Sequence, residues 1–434
     1  MTNARLHPPP RNGFEAGLAA LALTVSLVVS SLCVLPAQAA QPGNEGREGR
    51  KAPDQGAEAQ RTGAARASER PAVRPAVRPT ARPTARPTAH PNARSVARPA
   101  APTAQRRKPA AAAAPSGPVW GLTPAVRAFA ADVAARNGLP QAWVLHQLSQ
   151  ARRVQAVREL IMPPPAGTAK NWAAYRARFI ESERVAAGLA FWSAAEPWLN
   201  EAEKRWGVPP EIVVGIVGVE TFYGRVMGNF RIIDALATLA LDFPPGRRDR
   251  SEFFKSELEA WLVLSHQQKT DPLGVKGSFA GAQGLPQFMP SSISRWALDF
   301  DGDGRVDLQG NKADVVGSVA HYLASFGWQQ GMPTHYSVTP PAAETDRTAL
   351  LAPDIVPSFS AEQMAQRGAV LGDSARAHIG PLALVELQNG DAPSTYVAGT
   401  QNFYTVTRYN WSSYYAMAVI ELGAAVARQR AAAR

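Results

Sequence analysis

Residues 208–228 read VPPEIVVGIVGVETFYGRVMG. Pro209 and Pro210 suit a helix start, where the missing N–H groups cost nothing. Ile212, Val213, Val214, Ile216, Val217 and Val219 leave almost no polar side, so this helix is expected to be buried. Glu220 follows directly, with the aromatic-glycine segment Phe222, Tyr223, Gly224 behind it. A carboxylate at the end of a buried helix loses solvent, which raises its pKa and lets it hold a proton near neutral pH. That is what a general acid requires. A surface carboxylate on the last turn fits this stretch equally well, so the choice depends on the remaining residues.

Working outward, the composition is uneven. A chain of 434 residues has room for about two or three domains. Residues 1–39 read as a secretory signal: an apolar run from Leu18 to Val34, Arg5 and Arg11 before it, and the cleavage site Ala37-Gln38-Ala39 after it. The run is slightly short for a retained membrane anchor. Cys33, the only cysteine, lies inside this segment behind Leu32 rather than a small residue, so a lipid anchor is not expected. Once the signal is removed, the protein has no disulfide, no cysteine nucleophile and no zinc–thiolate site. Export without disulfides fits the periplasm of a bacterial envelope.

Residues 40–118 form an Ala/Pro/Arg-rich segment containing RPAVRPAVRPTARPTARPTA. Fixed φ at each proline and few large apolar side chains predict a disordered, semi-extended basic linker. From residue 41 it carries 15 Lys/Arg against 5 Asp/Glu, and residues 1–40 add +1, so of the chain's +11 almost nothing belongs to residues 119–434. The basic character therefore describes a tail and not a groove. Nucleic acid is excluded as a partner, because its recognition wants basic and aromatic residues interleaved on a folded face. Weak attraction of the tail to an anionic envelope surface and a plain solubilising tether both remain as readings.

From Trp120 the pattern is helical, and the fold class reads as mainly α, of α+β type. Thr123 can cap a helix that starts at Pro124, buries Val126, Phe129 and Val133, and stops at Asn137-Gly138. Further helices are expected around 141–160, 172–188 and 190–206, and another behind Ser251 as its cap. Residues 277–292, GSFAGAQGLPQFMPSS, are too rich in glycine and proline for a helix interior. Small polar side chains beside an aromatic on such a loop suit a sugar, which offers apolar ring faces and many hydroxyls.

Asp299, Asp301 and Asp303 stand at positions 1, 3 and 5 of an EF-hand-like loop, with Gly304 at the sharp turn. Arg305 would offer its carbonyl and Asp307 falls at position 9, while Gly310 stands where a bidentate Glu is usual. Asp314, opening the next helix, is the natural substitute, and a structural calcium is expected. The alternative is an aspartate-rich turn without metal. Residues 333–400 read as a small β-rich insert with a hairpin at QNGDAPS. NFYTVTRYN reads as a strand leading to a turn at Tyr409 and Asn410, and a final helix runs from Tyr414 to Ala427.

GVETFYGRVMGNFRIIDALATL, KGSFAGAQGLPQFMPSS, the aspartate loop, VGSVAHYLASFGW and RYNWSSYYAMAV together resemble the lytic murein transglycosylase B family, glycoside hydrolase family 103. The resemblance spans roughly residues 119–434 and keeps the motifs in the family's order. It implies a lysozyme-like helical core, a flanking helical domain, a small β domain and a sugar groove. It implies cleavage of the MurNAc–GlcNAc β-1,4 bond of peptidoglycan glycan strands with a 1,6-anhydro-MurNAc product. The single acid/base falls on Glu220. Ser278, Gln287, Phe288, Tyr322, Tyr409, Asn410, Tyr415 and Tyr175 fall on groove positions. Asp299, Asp301, Asp303, the Arg305 carbonyl and Asp314 match the calcium site. The resemblance also offers Arg247 and Arg248 for a peptide carboxylate, and a monomer is expected. The chain departs from the family at Phe222-Tyr223, Gln283 and Leu285-Pro286, which bears on stem-peptide preference.

The residues agree with that chemistry. An ordinary glycosidase uses paired carboxylates, and neither 277–292 nor 409–415 offers a second one. A lone acid suffices if the substrate supplies its own nucleophile. The rivals are a muramidase-type hydrolase on the same fold and a non-catalytic wall-binding scaffold.

Overall fold

The computed structural model describes residues 116–163 and 170–433. The signal segment and the linker up to residue 115 lie outside them. Among the described residues no helix is long and apolar enough to cross a membrane.

The chain opens with helices α1 (Pro124–Asn137), α2 (Gln141–Gln150), α3 (Gln155–Leu160) and α4 (Trp172–Ala177). Thr123 caps α1 through its side chain and Gly138 ends it at φ 63°, as the sequence predicts. The single helix expected over 141–160 is broken. Arg152 N–H donates to Asp234 Oδ1 and Val154 N–H to Thr238 Oγ1, so distant side chains take the backbone groups a continuous helix would have paired. The expected pair 172–188 and 190–206 is also redrawn. The short α4 is followed by one 25-residue helix, α5 (Ser182–Trp206). Glu181 starts α5 by accepting the N–H groups of Glu183 and Arg184.

Helix α6 (Pro210–Thr221) begins on Pro209-Pro210 and is buried almost throughout. It leads through β1 (Phe230–Arg231) into the buried α7 (Ile232–Leu241) and then α8 (Ser251–Gln267). Ser251 is the first residue of α8 and not its cap, because Asp249 accepts the Ser251 N–H. Strand β2 (Lys276–Gly277) pairs with β1, and α9 (Pro290–Trp296) and α10 (Lys312–Ser325) follow.

Residues 335–399 carry β3 (His335–Thr339), α11 (Glu344–Leu351), α12 (Ala361–Gln366), β4 (Val370–Leu371), α13 (Asp373–Arg376), β5 (Ala383–Asn389) and β6 (Ala392–Gly399). The strands form one antiparallel sheet in the order β4-β3-β6-β5. Strand β5 is apolar on both faces for a reason: Ala383, Val385 and Leu387 join the main core, whereas Leu382 and Leu384 flank a second core with Leu350, Met364 and Ala398. The segment 401–407 is helical and not a strand, and a turn follows it at 408–410. Thr400 caps α14 (Gln401–Thr407), Phe403 and Val406 bury one face, and Asn402 donates to the carbonyls of Gln329 and Met332. Packing and capping here override the strand preference of the β-branched residues.

The last helix, α15 (Ser413–Ala432), lies against α6. Glycines set their separation. A Cβ at Gly215 would stand 2.2 Å from the Val419 carbonyl oxygen, and one at Gly423 2.0 Å from that of Glu211.

Candidate active site

The C-terminus of α6 delivers Glu220 to the junction of α15, the 277–290 loop and α4. Phe222 and Tyr223 follow with φ of 52° and 56°, a left-handed corner costly for non-glycine residues. Two contacts hold the corner. The Tyr223 ring fills the slots left by Gly188 and Gly218. Arg184 donates to the Gly218 carbonyl at 2.9 Å while its guanidinium lies 4.4 Å from the Phe222 ring centre.

Glu220 accepts the Tyr415 hydroxyl on Oε1 at 2.7 Å. The residue as a whole keeps some exposed surface, but Oε2 is enclosed and has no hydrogen-bond partner. Burial pushes the carboxyl up to about 8, and the Tyr415 bond pulls the other way without offsetting it. No second carboxylate contributes to this shift. Four tyrosines, Tyr175, Tyr322, Tyr409 and Tyr415, feel the charge of Glu220, so the structure gathers these sequence-predicted residues around it. Burial raises each phenol, with Glu220 reinforcing the shift, and keeps all four protonated.

Loop 277–290 forms the adjoining wall. Ser278 Oγ accepts the N–H groups of Ala280 and Ala282, so its hydroxyl builds the turn. Gln287 takes φ 50° and donates to the Gly284 and Met227 carbonyls. Thr221 Oγ1 donates to the Leu285 carbonyl and the Tyr409 hydroxyl donates to that of Pro286, binding the loop to both neighbouring elements. Phe288, Tyr322 and Tyr409 form an aromatic cluster with ring centres 4.9–5.9 Å apart. Asn410 is buried at the adjoining corner, but α15 is capped by Ser412. Tyr175 stands on α4 beside Trp172, Phe179 and Tyr414. Arg247 is committed to the Ile161 carbonyl.

Sequence reasoning missed Thr221, Trp172, Tyr414 and Glu257. The carboxylate of Glu257 is buried on α8 and accepts both the N–H and the hydroxyl of Ser291, anchoring the far end of the loop. A lone Glu within an apolar stripe was the available signal.

At the aspartate loop, one carboxylate oxygen each from Asp299, Asp301 and Asp303 lies within 4.8 Å of the others. Gly302 and Gly304 make the required turns at φ 74° and 88°. This oxygen-only, anionic set fits a hard divalent cation. Asp314 is outside that convergence. It is fully buried and accepts the Phe300 and Asp307 N–H groups, pinning both ends of the loop.

Residues 121–424 match the family described as transglycosylase SLT domain. Over 327 residues the chain is 39% identical to membrane-bound lytic murein transglycosylase B of Escherichia coli strain K12, covering 71% of this chain and 84% of that protein. It is similar to the Escherichia coli lytic transglycosylase Slt35 in complex with bulgecin A, with TM-score 0.64 and 39% identity, covering 73% of this chain and 97% of that one. The same enzyme in complex with calcium matches with TM-score 0.63 and 38% identity, over 73% and 97% of the two chains. Mostly helical architecture, a small antiparallel sheet and these matches agree: the chain belongs to the transglycosylase SLT domain family.

Proposed function

We propose that this protein is a peptidoglycan lytic transglycosylase, cleaving the MurNAc–GlcNAc β-1,4 bond of glycan strands and leaving a 1,6-anhydro-MurNAc end. One observation carries the reading. Burial pushes the Glu220 carboxyl up to about 8, and its enclosed Oε2 has no protein partner. Protonated Glu220 donates to the glycosidic oxygen as the bond to C1 breaks. The substrate's 2-acetamido group stabilises the oxocarbenium-like centre. Glu220, now a base, takes the proton of the MurNAc C6 hydroxyl as that oxygen attacks C1. One carboxyl serves both steps, and no water is consumed.

In this reading Ser278, Gln287, Phe288, Tyr322, Tyr409, Asn410, Tyr415 and Tyr175 line the sugar groove, with aromatic faces against pyranose rings. Asp299, Asp301, Asp303 and the Arg305 carbonyl would hold a calcium ion, which would brace the loop and supply no step of the reaction, while Asp314, expected as a further ligand, instead pins the loop through its two backbone hydrogen bonds. The protein works in the periplasm after export through residues 1–39, with residues 40–118 as a basic tether.

The test is mass spectrometry of peptidoglycan digested with the full chain, with Glu220→Gln as control. Muropeptides ending in 1,6-anhydro-MurNAc, absent from the control, are expected. Products heavier by one water would make the enzyme a hydrolase.

A further inference from the structure

We propose that Asn389, at the tip of the β5–β6 hairpin, is a positioning residue that holds α4, and with it Tyr175, in place beside Glu220. The inference rests on the glycan-cleaving function proposed above.

Helix α4 has six residues, too few to persist without outside support. Two asparagines take its first N–H groups. Asn171 Oδ1 accepts from Ala174 at 2.9 Å, and Asn389 Oδ1 accepts from Ala173 at 3.0 Å across 216 positions of sequence. The second asparagine is itself fixed, because its Nδ2 donates to the Pro393 carbonyl at 3.0 Å and to Thr395 Oγ1 at 3.3 Å. The tip also pairs by backbone: Gly390 N–H donates to the Lys170 carbonyl at 2.9 Å, and Asn171 bridges Asn389. Gly390 makes the turn at φ 64°.

A further contact closes the clamp. The Tyr414 hydroxyl donates to the Gln388 carbonyl at 3.0 Å, and the Tyr414 ring meets Trp172 and Tyr175 edge-on at 5.9 and 5.8 Å. The sheet, with a core of its own, therefore serves as a fixed post for one aromatic wall of the groove. Removing the Asn389 amide leaves the Ala173 N–H without its acceptor and lets α4 fray, so the loss falls on sugar binding before it falls on chemistry.

The experiment is steady-state kinetics of the full chain on soluble glycan strands, paired with hydrogen exchange of the α4 amides. Asn389→Ala should raise KM about fivefold, the population change that loss of one helix cap carries. kcat and the pH profile should stay nearly unchanged, and α4 exchange should quicken. Asn389→Asp keeps an acceptor for the Ala173 N–H but loses the Nδ2 donor to Pro393 and Thr395, so it should restore KM in part. Unchanged KM, or kcat and melting temperature falling together without rescue by Asp, would overturn the proposal. A parent chain that leaves glycan intact would instead sink the proposed function, while the exchange measurement would still judge the clamp.

Discussion

Tyr415 and Glu220 stand 195 positions apart in the chain, yet the Tyr415 hydroxyl donates to Glu220 Oε1 at 2.7 Å. The bond holds one oxygen of the carboxyl, while the other, Oε2, is buried without a hydrogen-bond partner in the protein. It also favours the charged form, and burial opposes it and prevails. The opposition of these two influences makes the pair testable.

Tyr415→Phe removes the donor that lowers the Glu220 pKa. The alkaline limb of the kcat/KM profile, expected near pH 8 in the parent, should move upward. kcat should fall about tenfold, because the carboxyl loses its orientation. An alkaline limb moving downward would contradict the assigned direction.

Glu220→Gln should reduce kcat by ~10³-fold or more while glycan binding persists. Its effect on stability has a definite sign. The folded carboxyl titrates at about 8 against an ordinary value of 4.5, so between those values the folded state holds a proton that the unfolded chain has lost. That contribution is fully present below about pH 4.5 and disappears as pH rises to about 8. The Gln variant, having no proton to lose, should melt at a higher temperature than the parent at pH 8 and alike at pH 4. Thermal scans across that range check it.

Asp301→Ala combined with Asp303→Ala should abolish any rise in melting temperature on adding calcium and leave most of the turnover. The parent should show such a rise, since a ion bound only by the folded state stabilises it by mass action. A parent indifferent to both calcium and chelator would remove the metal assignment.

Gly215→Ala drives a methyl to 2.2 Å from the Val419 carbonyl oxygen, where backbone on both sides has no rotamer with which to yield. The helices must separate, at a cost of about 1–3 kcal/mol. Gly302→Ala lies at a position with open space around the Cβ, so its cost comes only from φ 74°. Denaturant titrations of the two variants should differ in that order.

What was legible in the sequence was what neighbours along the chain decide. The Pro209-Pro210 start, the Thr123 cap, the Gly138 stop and the apolar run before Glu220 are local rules, and the structure obeys them. The Asn-Gly turn between β5 and β6 was legible for the same reason. The break at 151–154 was not, because the acceptors Asp234 and Thr238 lie more than 80 positions away. Nor was α14, whose buried Asn402 finds its partners on the 329–332 segment.

The candidate site divides along the same line. Sequence alone determined that a carboxylate would end a buried helix, that residues 277–292 would form a glycine-rich loop with small polar side chains, and that three aspartates would be close enough to want a cation. Tertiary structure decided that Glu220 keeps its proton, because enclosure is a property of everything packed around a group and not of the residues beside it in the chain. It also decided that Ser278 shapes its own loop, that Asp314 pins the ends of the aspartate loop, and that Asn389 reaches across 216 positions to support the helix bearing Tyr175. Local rules set where a helix starts and stops. Which side chain completes another element's hydrogen bonds depends on three-dimensional proximity, which no spacing along the chain encodes.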